Sequence, residues 1–105
     1  MTDLTLRITM SGMIASFADA RTAALFRREH VKRMDLRLQH MALRKLVMLD
    51  AATAVQDLRT PPGNRLEALR GGRAGQYSIR VNDQYRIVFT WKDARAHDVE
   101  LVDCH

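Results

Sequence analysis

Apolar and polar residues change their spacing about midway along the chain, and the change predicts two kinds of structure. Residues 13–17, Met-Ile-Ala-Ser-Phe, read as a first strand. Asp19 is a candidate N-cap for a helix over 20–29, with Ala23, Ala24 and Phe26 available for burial. A longer helix over 35–51 follows. Its Leu38, Met41, Ala42, Leu46 and Leu49 recur at three- and four-residue steps on one stripe. Pro61-Pro62-Gly63 stops helical structure, after one helical turn near 55–58. Beyond it the period falls to two, and strands are expected at 65–69, 76–81, 85–91 and 97–102. Gly71-Gly72 with Gly75, then Asn82-Asp83-Gln84, then Lys92-Asp93-Ala94-Arg95 mark the three turns.

The middle hairpin can be registered from its pattern. A two-residue turn would set Ile79 opposite Arg86 and mix the faces. A three-residue turn pairs Val81 with Tyr85, Ile79 with Ile87 and Tyr77 with Phe89, which gives one apolar face. Arg80 then faces Arg86 on the other side, with Ser78 and Thr90. Opposed like charges are mildly destabilising, so a functional use is expected unless Asp98 or Glu100 neutralises them. The predicted fold is α+β, with two N-terminal helices packed on a mainly antiparallel four- to five-stranded sheet and the arginine-bearing face uncovered.

A chain of 105 residues suits a single domain, here residues 13–105, with 1–12 as a peripheral N-terminal extension. The net charge of +5 points to an anionic partner, nucleic acid or an acidic protein. No apolar run reaches the roughly 18 residues of a membrane span, and no leader pattern is present. A lone Cys104 excludes an internal disulfide framework and suits a reducing compartment. A cytoplasmic protein without membrane contact is expected. Lys45, with Arg27, Arg28, Lys32 and Arg33, is expected on solvated helix faces, and His30, His40 and His97 at the surface or core edge.

Candidate chemistry concentrates in residues 63–91, where Arg65, Arg70, Arg73, Arg80 and Arg86 stand against Glu67 and Asp83. Gly71-Gly72 lacks the lysine and serine of a nucleotide-binding loop. The four histidines have no zinc-like spacing with Cys104, and no nucleophile triad is evident. No cofactor or metal is expected. Phosphodiester cleavage by an RNA's own 2′-hydroxyl needs a base, cations for the phosphorane and an acid for the leaving oxygen. Arg70, Arg73 and Arg86 are candidate cations, and Glu67, Asp103 and His105 candidate proton-transfer or positioning groups.

The chain resembles the HigB-type toxins of the RelE/ParE superfamily. The resemblance is carried by residues 13–17, 61–69, Arg73-Ala74-Gly75-Gln76, 78–85, Arg86-Ile87, Asp98-Val99-Glu100, Val102, Asp103 and His105. It is most specific across GNRLEAL and RAGQYSIRVNDQYRI and at the acidic-His ending. It implies a RelE-like, microbial-ribonuclease-like domain that enters the ribosomal A site and cuts messenger RNA. It also implies a HigA-type helix-turn-helix antitoxin, through which alone operator DNA is met. By position it makes Glu67, Arg70, Arg73, Arg86, Asp103 and His105 the catalytic set. Arg65, Tyr77, Arg80 and Cys104 are the expected RNA-binding residues. Cys104 replaces the family's usual tyrosine, and Gly72 a common aspartate. Two alternatives stand beside this reading: a ParE-like poison of DNA gyrase, and a catalytically weakened toxin serving as antitoxin-binding co-repressor.

Overall fold

A computed structural model describes residues 14–71 and 75–104. In chain order they form α1 (Ala20–Phe26), α2 (Leu36–Ala51), two 3-10 turns (Val55–Arg59 and Pro62–Asn64), β1 (Glu67–Ala68), β2 (Gln76–Arg80), β3 (Tyr85–Lys92) and β4 (Arg95–Asp103). The strands make an antiparallel meander in the order β1-β2-β3-β4. The two helices pack against one face, so the α+β architecture is as predicted.

The first helix begins as the sequence indicates, and the second one residue later than expected, at Leu36 with Asp35 as its cap. Asp19 accepts from the Thr22 amide and Asp35 from the Leu38 amide, each at 3.1 Å. The first helix, however, stops at Phe26 rather than continuing to residue 29. Arg28 turns left-handed at φ 63°, with Glu29 N–H donating to Ala24 and Arg28 N–H to Leu25. This Schellman closure ends the helix with arginine in the place glycine usually takes. Leu38, Ala42, Leu46 and Leu49 are buried in the core with Leu25, Leu58, Ile79, Ile87, Phe89, Val99 and Leu101. Met41 only borders it, and Gln39 enters instead. Its amide is bonded to Val31 and Met34, fastening the inter-helix link to the second helix.

The hairpin register is the three-residue one, with Tyr77↔Phe89, Ile79↔Ile87 and Arg80↔Arg86. Asn82 holds its turn by accepting from the Gln84 and Tyr85 amides. The next turn is tighter than expected. Lys92 pairs with Arg95, leaving Asp93 and Ala94, both at positive φ, as a two-residue loop. β4 therefore starts earlier than predicted, and a bulge with Asp98 at φ 53° restores the alternation farther on. β1 is correspondingly short, because Arg65 is left-handed at φ 45°.

The expected first strand is only partly formed. Ile14 and Phe17 make isolated parallel bridges to Ala96 and Val99 along the β4 edge, while Met13 lies outside the described residues, as does the 1–12 extension. Farther along that edge the Leu101 amide donates to Thr22 Oγ1 at 3.0 Å, with Thr22 fully buried. Thr22→Val keeps the shape and removes the acceptor. It is expected to cost about 1–3 kcal/mol, read from chemical denaturation, because the amide is left buried and unpaired.

Candidate functional site

The face away from the helices is built by strand parity. Residues paired across an antiparallel ladder share a face. The pairs Glu67↔Ser78, Arg80↔Arg86 and Arg86↔Val102 therefore set Glu67, Ser78, Arg80, Arg86 and Val102 together. A shallow cavity of about 330 Å³ opens there, lined by Arg65, Glu67, Arg80, Asn82, Asp83, Arg86 and Cys104.

Arg86 is the most constrained of these. Its side chain is 16% exposed. Nε donates to the buried Ser78 Oγ at 2.8 Å, and Nη2 to the Arg65 carbonyl at 2.6 Å and the Ser78 carbonyl at 3.3 Å. Glu67 Oε1 lies 3.9 Å from Nη2. Three protein oxygens thus fix the guanidinium plane, and its Nη1 makes no hydrogen bond to a described residue. Arg80 is held differently, by Asp83, whose carboxylate is almost fully exposed. Such a pair is weak and exchangeable, so an incoming phosphate can take the place of Asp83. These carboxylates, rather than Asp98 or Glu100, are what balance the opposed arginines.

The Arg65 carbonyl that steadies Arg86 is itself anchored. Asn64, fully buried, closes the Pro62–Asn64 turn. Its side chain donates to the Leu58 carbonyl and accepts from Lys45 Nζ at 2.5 Å. Lys45 is therefore not on a solvated face. Burial first, then Arg44 and Arg80, holds its ammonium below the usual lysine range. Sequence periodicity missed this strut because the contact spans a loop.

Of the ten expected site residues, five meet in the cavity: Arg65, Glu67, Arg80, Arg86 and Cys104. Arg70 is exposed beside Gly71 but does not line it. Two others are on the opposite side. Tyr77 packs its ring against Phe89, 6.1 Å between centroids, on the helix-covered face. Asp103 pairs with Tyr85, which faces the helices, and its carboxylate accepts from Gln84. Strand parity therefore puts Asp103 on the face opposite Arg80 and Arg86, which motif matching cannot see. Arg73 and His105 lie outside the described residues. Asn82, read from sequence only as a turn former, and Asp83, read as a turn former and an acidic neighbour of the arginines, line the cavity too.

Against known proteins, residues 15–105 match the family described as the RelE-like toxin of the type II toxin–antitoxin system HigB. The chain belongs to that toxin family. Among individual relatives, it is 54% identical to Toxin HigB-1 of Vibrio cholerae over 64 residues, which are 61% of this chain and 67% of that one. An uncharacterized protein of Haemophilus influenzae is 39% identical over 64 residues, covering 61% and 63% of the two chains. The chain thus spans about two thirds of the length of these relatives. Membership in the HigB-like family implies a toxin role and an antitoxin partner. Among the described residues, no helix is long and apolar enough to cross a membrane.

Proposed function

We propose that this toxin is a ribosome-dependent endoribonuclease that cuts messenger RNA in the cytoplasm, using residues 13–105 as its toxin domain. The observation that carries the reading is the fixed Arg86 guanidinium, set with Arg65 and Arg80 around a cavity on the uncovered sheet face. Three guanidiniums suit a phosphodiester: Arg65 and Arg80 bring planar forks of donors, and Arg86, its Nε and Nη2 fixed to the protein, presents Nη1.

In the proposed reaction the RNA 2′-oxygen attacks phosphorus as the P–O5′ bond breaks. The products are a 2′,3′-cyclic phosphate and a 5′-hydroxyl. Arg86 stabilises the charge gathering on the phosphorane oxygens, and Arg65 and Arg80 hold flanking phosphates. Glu67, beside Arg86, takes the 2′-hydroxyl proton. His105 and Arg73 remain in the proposal as leaving-group acid and further cation on family resemblance, and Arg70 as a contact to an adjoining phosphate. Asp103 enters as a positioning group through Gln84.

The test is a reconstituted translation reaction with purified toxin and a defined message, with and without ribosomes. Cleavage only on ribosomes, leaving 2′,3′-cyclic phosphate ends, is expected. Intact message beside gyrase-linked DNA breaks in cells would replace this reading with gyrase poisoning.

Cys104 offers a graded check. It lines the cavity where the family resemblance places tyrosine. Cys104→Tyr adds a ring on which a base can stack, worth about 1–3 kcal/mol. Cleavage at limiting message should rise about 5-fold or more. Growth inhibition found only in this variant would instead identify the natural chain as a weakened toxin.

A further inference from the structure

Helix α2 has a second stripe whose apolar ends the fold leaves exposed. Leu36, Leu43 and Val47, with His40 between the first two, recur at four-, three- and four-residue steps, well around the helix from the buried Leu38, Ala42, Leu46 and Leu49. Leu36 is 59% exposed and Val47 43%, and these are the large apolar residues left exposed among the described residues. Beside them a cavity of about 370 Å³ lies between the end of α1 and the start of α2. Leu25, Leu36 and Leu43 line it, with His30 and His40.

The rim of this groove is basic. Arg37 and Arg44 flank the stripe along the helix, and Arg28 stands at the cavity, turned outward by the helix-ending bend. The nearby acids are already engaged. Glu29 is bound to Arg27 at 2.8 Å, and Asp35 caps the helix. From Leu36 to Val47 the stripe runs about 16 Å, the length of roughly three helical turns. A partner fits if it presents apolar residues at i, i+3/i+4 and i+7 with acidic residues on its flanks. A surface for nucleic acid would need the arginines but not the leucines between them.

We propose that this stripe is where the antitoxin docks, through an acidic amphipathic helix laid along α2. The proposal rests on membership in the toxin–antitoxin family and gives that partner a surface. It lies on the helical layer, whereas the arginine cavity opens on the other face of the sheet, so the two can be altered separately.

The experiment is a calorimetric titration of the purified toxin with its cognate antitoxin, paired with growth assays with and without antitoxin co-expression. Leu36→Glu with Val47→Glu should weaken antitoxin binding at least 100-fold, and each single change about 10-fold. Both sites are exposed, and an unchanged melting curve confirms folding; if the double variant does not fold, the singles decide. The double variant should inhibit growth as the unaltered toxin does and no longer be rescued by antitoxin. Arg37→Glu with Arg44→Glu should also weaken binding and flatten its salt dependence. Antitoxin affinity within about 3-fold of the unaltered value in the folded variants would overturn the proposal. So would unchanged antitoxin binding with lost self-association or lost ribosomal RNA binding. If even the unaltered toxin fails to inhibit growth, the functional reading falls, while the titration still decides the docking surface.

Discussion

Arg86→Ala is expected to abolish growth inhibition and to lower cleavage on ribosomes by about 100-fold or more, the usual cost of deleting a fixed donor to a developing oxyanion. The expectation follows from how rigidly the guanidinium is held. Its Nε and Nη2 are committed to Ser78 Oγ and the carbonyls of Arg65 and Ser78, so the group is aimed before substrate arrives. Arg86→Lys should fail nearly as badly. A lysine keeps the charge but offers a single point of donation, and it cannot span Ser78 and Arg65 while facing a phosphate. Losing the guanidinium also leaves the buried Ser78 hydroxyl unpartnered, at about 1–2 kcal/mol of stability. Melting curves must therefore accompany the assay, and antitoxin binding should persist. Arg80→Ala should be milder, since its exposed partner Asp83 leaves Arg80 free to move. Full toxicity in both Arg86 variants would remove the arginine face from the mechanism.

What the sequence revealed and what it hid divide along a physical line. Hairpin register was legible because one-residue slips move apolar side chains across the sheet, so Tyr77, Ile79, Ile87 and Phe89 leave a single consistent pairing. That register by itself sets Arg80 opposite Arg86. The helix cap Asp19 was legible as a local side-chain bond, whereas Asp35, read as the first residue of its helix, proves to be the cap. Other features were not. The left-handed Arg28 and Arg65 carry no glycine to announce them. Tyr77 falls on the covered face by the very register that was inferred, although it was expected to bind RNA. Asp103 was assigned by motif, whereas its face depends on counting from Tyr85 through the three-residue turn and across the ladder. The Lys45–Asn64 bond joins residues 19 apart through a loop, beyond the reach of any period. Charge balance behaved likewise: Glu67 reaches Arg86 only because β1 pairs with β2.

Asn64→Ala is expected to produce the largest loss of stability, about 2–4 kcal/mol, with a fall in Tm of about 10–20 °C. Asn64 is fully buried, and its amide serves both sides of the chain: Nδ2 donates to the Leu58 carbonyl, and Oδ1 receives the Lys45 ammonium. Alanine would orphan that carbonyl and leave a half-buried ammonium, already disfavoured by burial and by Arg44 and Arg80, without its acceptor. The damage should propagate to chemistry. The turn closed by Asn64 sets Arg65 at φ 45°, and the Arg65 carbonyl aims Arg86. Lys45→Met separates the two effects, since it removes the ammonium and keeps the turn residue. It should cost about 1–3 kcal/mol, from the unpaired Asn64 oxygen, while most cleavage activity survives. Coupling between the two sites in a double-mutant cycle should exceed about 0.5 kcal/mol, as expected for directly bonded groups. Denaturation of Asn64→Ala at unchanged midpoint, or additive effects in the cycle, would show that the strut carries no load, and the Arg65 carbonyl would then hold Arg86 without help from Asn64 and Lys45.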